Sequence, residues 1–407
     1  MSEQAVEAAR SPGFDFLSPD FLRNPYPAFQ MLRANAPILK TEMGFWVASR
    51  YDDVTAILRD KRFGKCFVER IEHQYGGEVW KEPVYASMRN WMLVMDPPDH
   101  TRLRKLVARA FTPRRLKDLR PRIQQLVDES LDAVQDRGKM DFLADFAFPL
   151  PVHVICDMLG IPVENRNWFF DGSRVSGRLI DPTPMTPEEL KEVNEGHAVQ
   201  VTFFRDLFER RRKEPGEDIT SELLSAAEDG EKLSEDELIG NIILLFGAGH
   251  ETTVNMLGNG MLHLLSNPEE WKKLKSDPSL VPSAVEEMLR FDSSVQMTGR
   301  VAFEDVEFSG VTIPKGEQVL TLLGAANRDP EQYDDPEGFR VDRQNVQPTS
   351  FGGGIHHCLG APLARLEGEI ALSTLITRLP NIRLANDELD WRKTFTLRGL
   401  STLPVVW

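Results

Sequence analysis

Apolar residues recur at helical spacing in long blocks along this chain of 407 residues, and strand-like stretches are short and few. Helical patterns run through Phe29, Leu32 and Ala34, from Asp52 to Leu58, from Leu119 to Val134, from Leu150 to Leu159 and from Trp168 to Leu179. Phe45 to Ala48 reads as a short strand. A Pro-rich break at Pro182 and Pro184 precedes Thr186-Pro187-Glu188-Glu189, which has an N-cap, a proline at the first helical position and a glutamate to close a capping box. Ser234 with Glu237 makes a second box, and the apolar pattern behind it continues to Leu265, where Asn267-Pro268 stops it. At 1.5 Å per residue that helix spans about 48 Å, enough to cross a domain. Residues 71–95 show no period and carry Trp80, Tyr85, Met88, Trp91, Met92 and Leu93, which reads as a loop packed on a core. A further helix starts after Asp96-Pro97-Pro98.

The pattern describes a mostly α protein, and small β-sheets are what the resemblance given below implies. Length alone suggests two or three domains, yet no linker, repeat or low-complexity tract divides the chain. The expectation is a flexible N-terminus over residues 1–12 and one large domain over 13–407. An apolar share of 41% with 27% charged residues is ordinary for a water-soluble globular fold. No unbroken apolar run of membrane-spanning length is present, and Met1 to Pro12 lacks a basic region and an apolar core, so a cytoplasmic protein without membrane is expected. A net charge of −15 argues against nucleic acid and anionic lipid as partners. The basic run Arg210 to Lys213 suits a helix C-terminus. Three cysteines make no disulfide framework. Cys156 lies in an apolar run and reads as core, and Cys66 reads as inert.

The third cysteine changes the picture. It stands in Phe351-Gly352-Gly353-Gly354-Ile355-His356-His357-Cys358-Leu359-Gly360, followed by Ala361-Pro362-Leu363-Ala364-Arg365-Leu366-Glu367. Three glycines permit a tight backbone path, and Pro362 is tolerated in the first turn of the helix that begins there. Amides and the positive end of a helix dipole favour a thiolate, which can ligate a metal. The spacing F-G-x-G-x-H-x-C-x-G is met at all six of its fixed positions, and it resembles the haem-binding loop of the cytochrome P-450 family.

That resemblance implies a single domain of the cytochrome P-450 fold, with matches in family order from Asn24 to Leu403. It implies haem b with Cys358 as its metal ligand, Phe351 and Ala248 at the cofactor, and His100, Arg104, Arg300 and His356 on the propionates. His100 and Arg104 are four apart and share a helix face. Midway along the long helix, Phe246-Gly247-Ala248-Gly249-His250-Glu251-Thr252 carries two glycines, which cost a helix about 1–2 kcal/mol. They mark either close packing of another backbone or a groove for a diatomic ligand. Ala248-Gly249-x-Glu251-Thr252 resembles the family's oxygen-activation motif, in which Glu251 relays protons and the Thr252 hydroxyl holds them. His250 is given no chemistry. The resemblance makes Glu287, Arg290 and Arg343 a structural cluster, Ala326 to Pro330 a turn, and residues 71–95 the roof of a substrate pocket. Val295 to Thr298 and Phe395 to Leu400 would form its walls, and helices flanking the Pro-rich break its lid.

The implied reaction inserts one oxygen atom from O2 into an apolar small organic substrate. Electrons would come from NAD(P)H through a separate ferredoxin or flavodoxin with its reductase, and the chain would act as a monomer. Arg102, Lys105, Arg109, Arg114 and Arg115 form a candidate docking patch for such an acidic partner. A peroxide-using or non-oxidative haem-thiolate enzyme is one alternative, although such relatives often lack the acid–alcohol pair kept here as Glu251 and Thr252. A non-enzymatic haem sensor is another, and it would need no proton relay. A zinc site at His356, His357 and Cys358 lacks paired spacing and a fourth ligand. Pocket loops that mix aromatics with Arg89, Asn90 and Arg178 leave the substrate open.

Overall fold

A computed structural model describes Phe16 and residues 18–165, 179–181, 185–228, 233–386 and 388–407. The expected flexible residues 1–12, the helix expected from Trp168, Arg178 and the break at Pro182 and Pro184 lie outside the described residues. By its internal contacts the chain forms two compact units.

The first unit comprises residues 1–64, 127–147 and 252–407. Its main sheet has five strands in the order Ile38–Lys40, Trp46–Ala48, Gln318–Leu322, Met297–Ala302 and Phe63–Gly64. All pairs are antiparallel except Trp46–Ala48 with Gln318–Leu322, where Val47 lies opposite Leu320. Successive strand residues feed opposite faces. Val47 and Leu320 join a cluster with Phe16, Phe29 and Phe395, while Ala48 and Val319 join another with Ile57, Val306 and Ala326. Helices Tyr26–Asn35, Tyr51–Arg59, Val281–Phe291 and Ala361–Arg378 also belong to this unit, as does a three-stranded sheet of Lys139–Asp141, Pro404–Val406 and Arg383–Leu384. The expected strand and the first two expected helices are therefore present.

The second unit comprises residues 65–126 and 148–251 and is helical among its described residues. Pro149–Leu159 buries Cys156 completely, as its apolar run implies. The helix expected from Leu119 starts earlier, at Pro113, and runs to Asp132 with Pro121 inside it. Both capping boxes form: Glu189 N–H donates to Thr186 Oγ1 at 3.2 Å, and Glu237 N–H donates to Ser234 Oγ at 3.1 Å. The helix behind the second box runs from Glu235 to Ser266, and like Pro113–Asp132 it has residues in both units.

Residues 71–95 are not a loop. Phe67–Tyr75 and Pro83–Met88 are helices, and Gly77–Lys81 and Met92–Val94 are single turns of 3-10 helix. Phe67 and Ile71, one turn apart, bury the first helix, and Pro83 pre-sets the start of the second. Asp96 fixes the entry by accepting the backbone N–H groups of Lys65 at 2.8 Å and Cys66 at 2.9 Å. The packing part of the expectation holds, since Tyr85, Met88, Trp91 and Met92 are all buried. One helical stretch among the described residues, Phe142–Leu159, is apolar enough to span a membrane, but 67% of it is buried, as in a core helix.

Candidate active site

Cys358 sits in a loop whose glycines are needed for two separate reasons. Gly352 and Gly354 have φ of 67° and 63°, in the left-handed region that disfavours side chains. At Gly354 an added Cβ would also lie 2.2 Å from the Leu58 carbonyl oxygen. The loop closes on itself: Cys358 N–H donates to Phe351 O at 3.0 Å, and His357 N–H donates to Gly354 O at 3.2 Å. The helix starts only at Ala361, with Pro362 in its first turn, so Cys358 precedes the helix rather than opening it. Its Sγ lies 3.8 Å from the place of a Cβ on the N-cap residue Gly360, which keeps it beside the helix start. Cys358 is exposed, whereas burial, helped by Asp96 and Glu69, pushes the Cys66 thiol up to about 11 and leaves it protonated.

A buried polar network fastens this loop to the rest of its unit. Glu287 and Arg290 are both fully buried and meet through two 2.7 Å hydrogen bonds. Arg343 completes the pair, with its Nε 3.1 Å from Glu287 Oε2. Arg290 also donates to the carbonyls of Asn327 and Pro336 at 2.9 Å. The Asn327 amide then donates to Ser293 Oγ and Ser350 Oγ, both at 2.8 Å, and its oxygen accepts the Thr349 N–H at 2.7 Å. Ser350 Oγ donates to Leu289 O at 2.6 Å, just before Phe351. The expected cluster is present. Asn327 and Ser350, which extend it to the cysteine loop, had no signal in the sequence beyond a turn motif.

Arg365 stacks over the Phe351 ring at 4.6 Å and pairs with Glu286. Arg300 is buried on the strand Met297–Ala302, and its Nη1 donates to Gly299 O at 2.9 Å. Residues 294–296 and 396–398 do come together: Gln296 N–H donates to Thr396 O at 2.9 Å, Arg398 N–H donates to Ser294 O at 2.8 Å, and Val295 bridges Leu397.

In the second unit, His100 is buried and Arg104 half-buried, one turn apart on the helix Asp99–Val107. Ala248, Glu251 and Thr252 occupy one turn of the long helix, with Glu251 buried. At Gly249 an added Cβ would lie 3.0 Å from the Ile155 side chain, so close packing explains this glycine, against a side chain rather than a backbone. His250 is occupied structurally: its Nδ1 is 2.7 Å from Phe246 O, and its ring packs on Phe246 and Phe148. In the candidate docking patch, Arg102 pairs with Glu237 and Asp99, and Arg115 with Glu222, while Lys105, Arg109 and Arg114 are exposed.

The sequence matches the family model described as Cytochrome P450 over residues 46–382. The chain belongs to the cytochrome P-450 family. It is 43% identical over 398 residues to the vitamin D(3) 25-hydroxylase of Pseudonocardia autotrophica, covering 96% of each chain. It is 41% identical over 397 residues to the biotin biosynthesis cytochrome P450 of Bacillus subtilis, covering 96% of this chain and 98% of that one. Its fold matches the structure of P450BioI in complex with hexadec-9Z-enoic acid ligated acyl carrier protein, with a TM-score of 0.90, 40% identity and coverage of 96% and 100%. The fold is that of a cytochrome P-450, the activity class is monooxygenase, and the family implies a haem cofactor.

The residues present fit a haem. An exposed cysteine follows a loop that tolerates no Cβ at Gly354, and a thiolate is a haem-iron ligand in its own right. A further residue also escaped the sequence reading. Glu367, on the helix behind the loop, is completely buried, its Oε2 accepts no hydrogen bond, and burial raises its carboxyl well above the usual range. Its position between Leu363 and Ile370 on the inner helix face was the available signal.

Proposed function

We propose that the chain hydroxylates or epoxidises an apolar small organic molecule with one atom of O2, using haem b ligated by Cys358. The overall balance consumes substrate, O2, NAD(P)H and a proton, and yields oxygenated product, water and NAD(P)+. The observation that carries this reading is the glycine loop that presents an exposed Cys358 beside a helix start. When bound, the haem would supply the centre at which O2 is reduced and from which an oxygen atom passes to substrate.

The remaining work belongs to side chains of this chain. His100, Arg104, Arg300 and His356 would hold the two propionates by charge-assisted hydrogen bonds. Phe351 and Ala248 would pack against the porphyrin. The Glu251 carboxyl would take protons from water, and the Thr252 hydroxyl, next in sequence, would hold them for the oxygen atom that leaves as water. Electrons would arrive from a separate ferredoxin or flavodoxin through contacts that include the exposed Lys105, Arg109 and Arg114. Reversing those three charges should slow reduction at low salt, and an unchanged rate would place the docking surface elsewhere. Two of the names concern molecules with large apolar parts, vitamin D(3) and hexadec-9Z-enoic acid, in keeping with an apolar substrate here.

Thr252→Ala tests the proton assignment. The variant should consume O2 and reductant at a comparable rate while product falls about tenfold or more and peroxide accumulates, in line with the usual worth of a positioned proton donor. Unchanged coupling of O2 to product would remove Thr252 from the relay.

A further inference from the structure

A cavity of about 470 Å³ is bounded by residues of the first unit alone. It contains none of the residues proposed to hold haem or carry protons. Four rings line it, those of Tyr26, Phe291, Phe339 and Trp391, and its volume falls in the range of small-molecule sites, about 300–1,000 Å³. The buried acid on its lining, Asp292, is already spent. Its Oδ1 accepts the Tyr26 hydroxyl at 2.7 Å and Arg398 Nε at 2.8 Å, and its Oδ2 accepts His263 Nε2 at 2.9 Å. Burial works against this carboxylate, but Arg398 and His263 outweigh it and hold the carboxyl well below the usual range.

The hydrogen-bonding capacity left over on the lining is mostly that of donors. Arg328 is stacked between Tyr26 and Phe291, 3.5 and 3.8 Å from the ring centres. Its Nε donates to Phe291 O at 2.9 Å and its Nη1 to Glu337 at 2.7 Å, while its Nη2 has no acceptor among the described residues. Trp391 Nε1 and Asn24 Nδ2 also lack an acceptor among the described residues. Arg398 covers one face of the Trp391 ring at 3.6 Å. Three arginines on the lining, Arg23, Arg328 and Arg398, face two acids, Asp292 and Glu337, so the balance favours an anion. The geometry is fixed beforehand, because Arg328 follows Asn327 and Asp292 precedes Ser293, and those two belong to the buried network under the cysteine loop.

We propose that this cavity is a second binding site, separate from the haem, for a small planar aromatic anion, an aromatic carboxylate being the simplest form. The rings pack against its apolar body. Arg328 Nη2, Trp391 Nε1 and Asn24 Nδ2 are the donors open to its carboxylate, and a guanidinium edge gives such a contact the strength of a charge-assisted hydrogen bond.

The test is calorimetric titration of the purified holoprotein with 2-naphthoate and with its neutral amide, 2-naphthamide, while the haem absorption is recorded. Naphthoate should bind about tenfold or more tightly than the amide and leave the haem absorption unchanged. Ser266 gives a way to close the site. It lines the cavity as the last residue of the helix Glu235–Ser266, is exposed, and its hydroxyl has no partner among the described residues. Ser266→Phe should abolish binding of both compounds, and Ser266→Asp, which adds only a charge, should weaken naphthoate alone by about tenfold. Trp391→Leu should weaken both by up to about tenfold. Equal affinity for acid and amide would overturn the proposal, as would no binding of naphthoate to the parent chain. Naphthoate that binds Ser266→Phe as tightly as the parent chain, or that shifts the haem absorption, would place the compound elsewhere and overturn it too.

Discussion

Beneath Cys358 the backbone is tied by buried charges, whereas the segment from Phe67 to Val94 rests on rings and single amide bonds. The first region uses Glu287, Arg290, Arg343, Asn327 and Ser350, every one buried and each bonded to at least two partners. The second region has the Tyr75–Tyr85 and Phe67–Trp80 ring contacts, with Arg89 over the Trp80 ring at 4.9 Å. Its polar ties are few: Asn194 Oδ1 accepts the Val84 N–H at 3.0 Å, and Asn241 clamps Met92 N–H at 2.9 Å and Asn90 O at 2.8 Å. Charged networks hold one geometry because each member left unpaired is expensive. Ring contacts tolerate repacking at small cost. A ligand position for a metal needs the first kind of construction, and a surface that must accept a substrate can use the second.

Cutting the charged network should do the most damage. Glu287→Ala leaves Arg290 and Arg343 buried without their carboxylate, a loss of about 3–5 kcal/mol. Set against a typical stability of about 5–15 kcal/mol, that should remove a large part of the margin and lower the yield of haem-loaded folded protein, read as the ratio of haem to protein absorbance after purification. Asn241→Ala should cost less, about 1–3 kcal/mol for the freed Met92 amide and Asn90 carbonyl, and should leave haem content intact. If Asn241→Ala lost haem as readily as Glu287→Ala, the contrast between the regions would be false.

Glu367 refines the first half of the comparison, since it is a buried acid on the cysteine helix with an unbonded oxygen. Its folded pKa is raised, so the folded state holds a proton that the unfolded chain releases above about 4.3. Stability from this residue is therefore present at low pH and lost as pH rises through the unfolded value toward the folded one. Glu367→Gln removes that dependence. The variant should gain in melting temperature over the parent as pH increases from about 4 to 8, by a few degrees, and a gain that shrinks with pH would contradict the assignment.

What could be read beforehand follows the reach of each interaction. The boxes at Thr186 and Ser234 were legible because cap and partner are three residues apart. The cysteine loop was legible because its glycine and cysteine spacing is fixed within ten residues, and the helix Glu235–Ser266 because its period is long. Residues 71–95 misread as a loop because their helices are nine residues or fewer and aromatics blur the period. Asn327 binds Ser350 across 23 residues and Ser293 across 34, so no local pattern marks it. Glu367 was missed for a related reason: it is a charged residue type on an inward helix face, and only burial distinguishes it from a solvated one.

The central claim is that Cys358 is the thiolate ligand of a haem. It is tested most directly by the absorption spectrum of the reduced, carbon monoxide-bound protein, compared with that of Cys358→Ser at equal haem content. The account predicts a thiolate-type spectrum for the parent chain and its complete loss in the variant. A thiolate-type spectrum that survives in Cys358→Ser would contradict it.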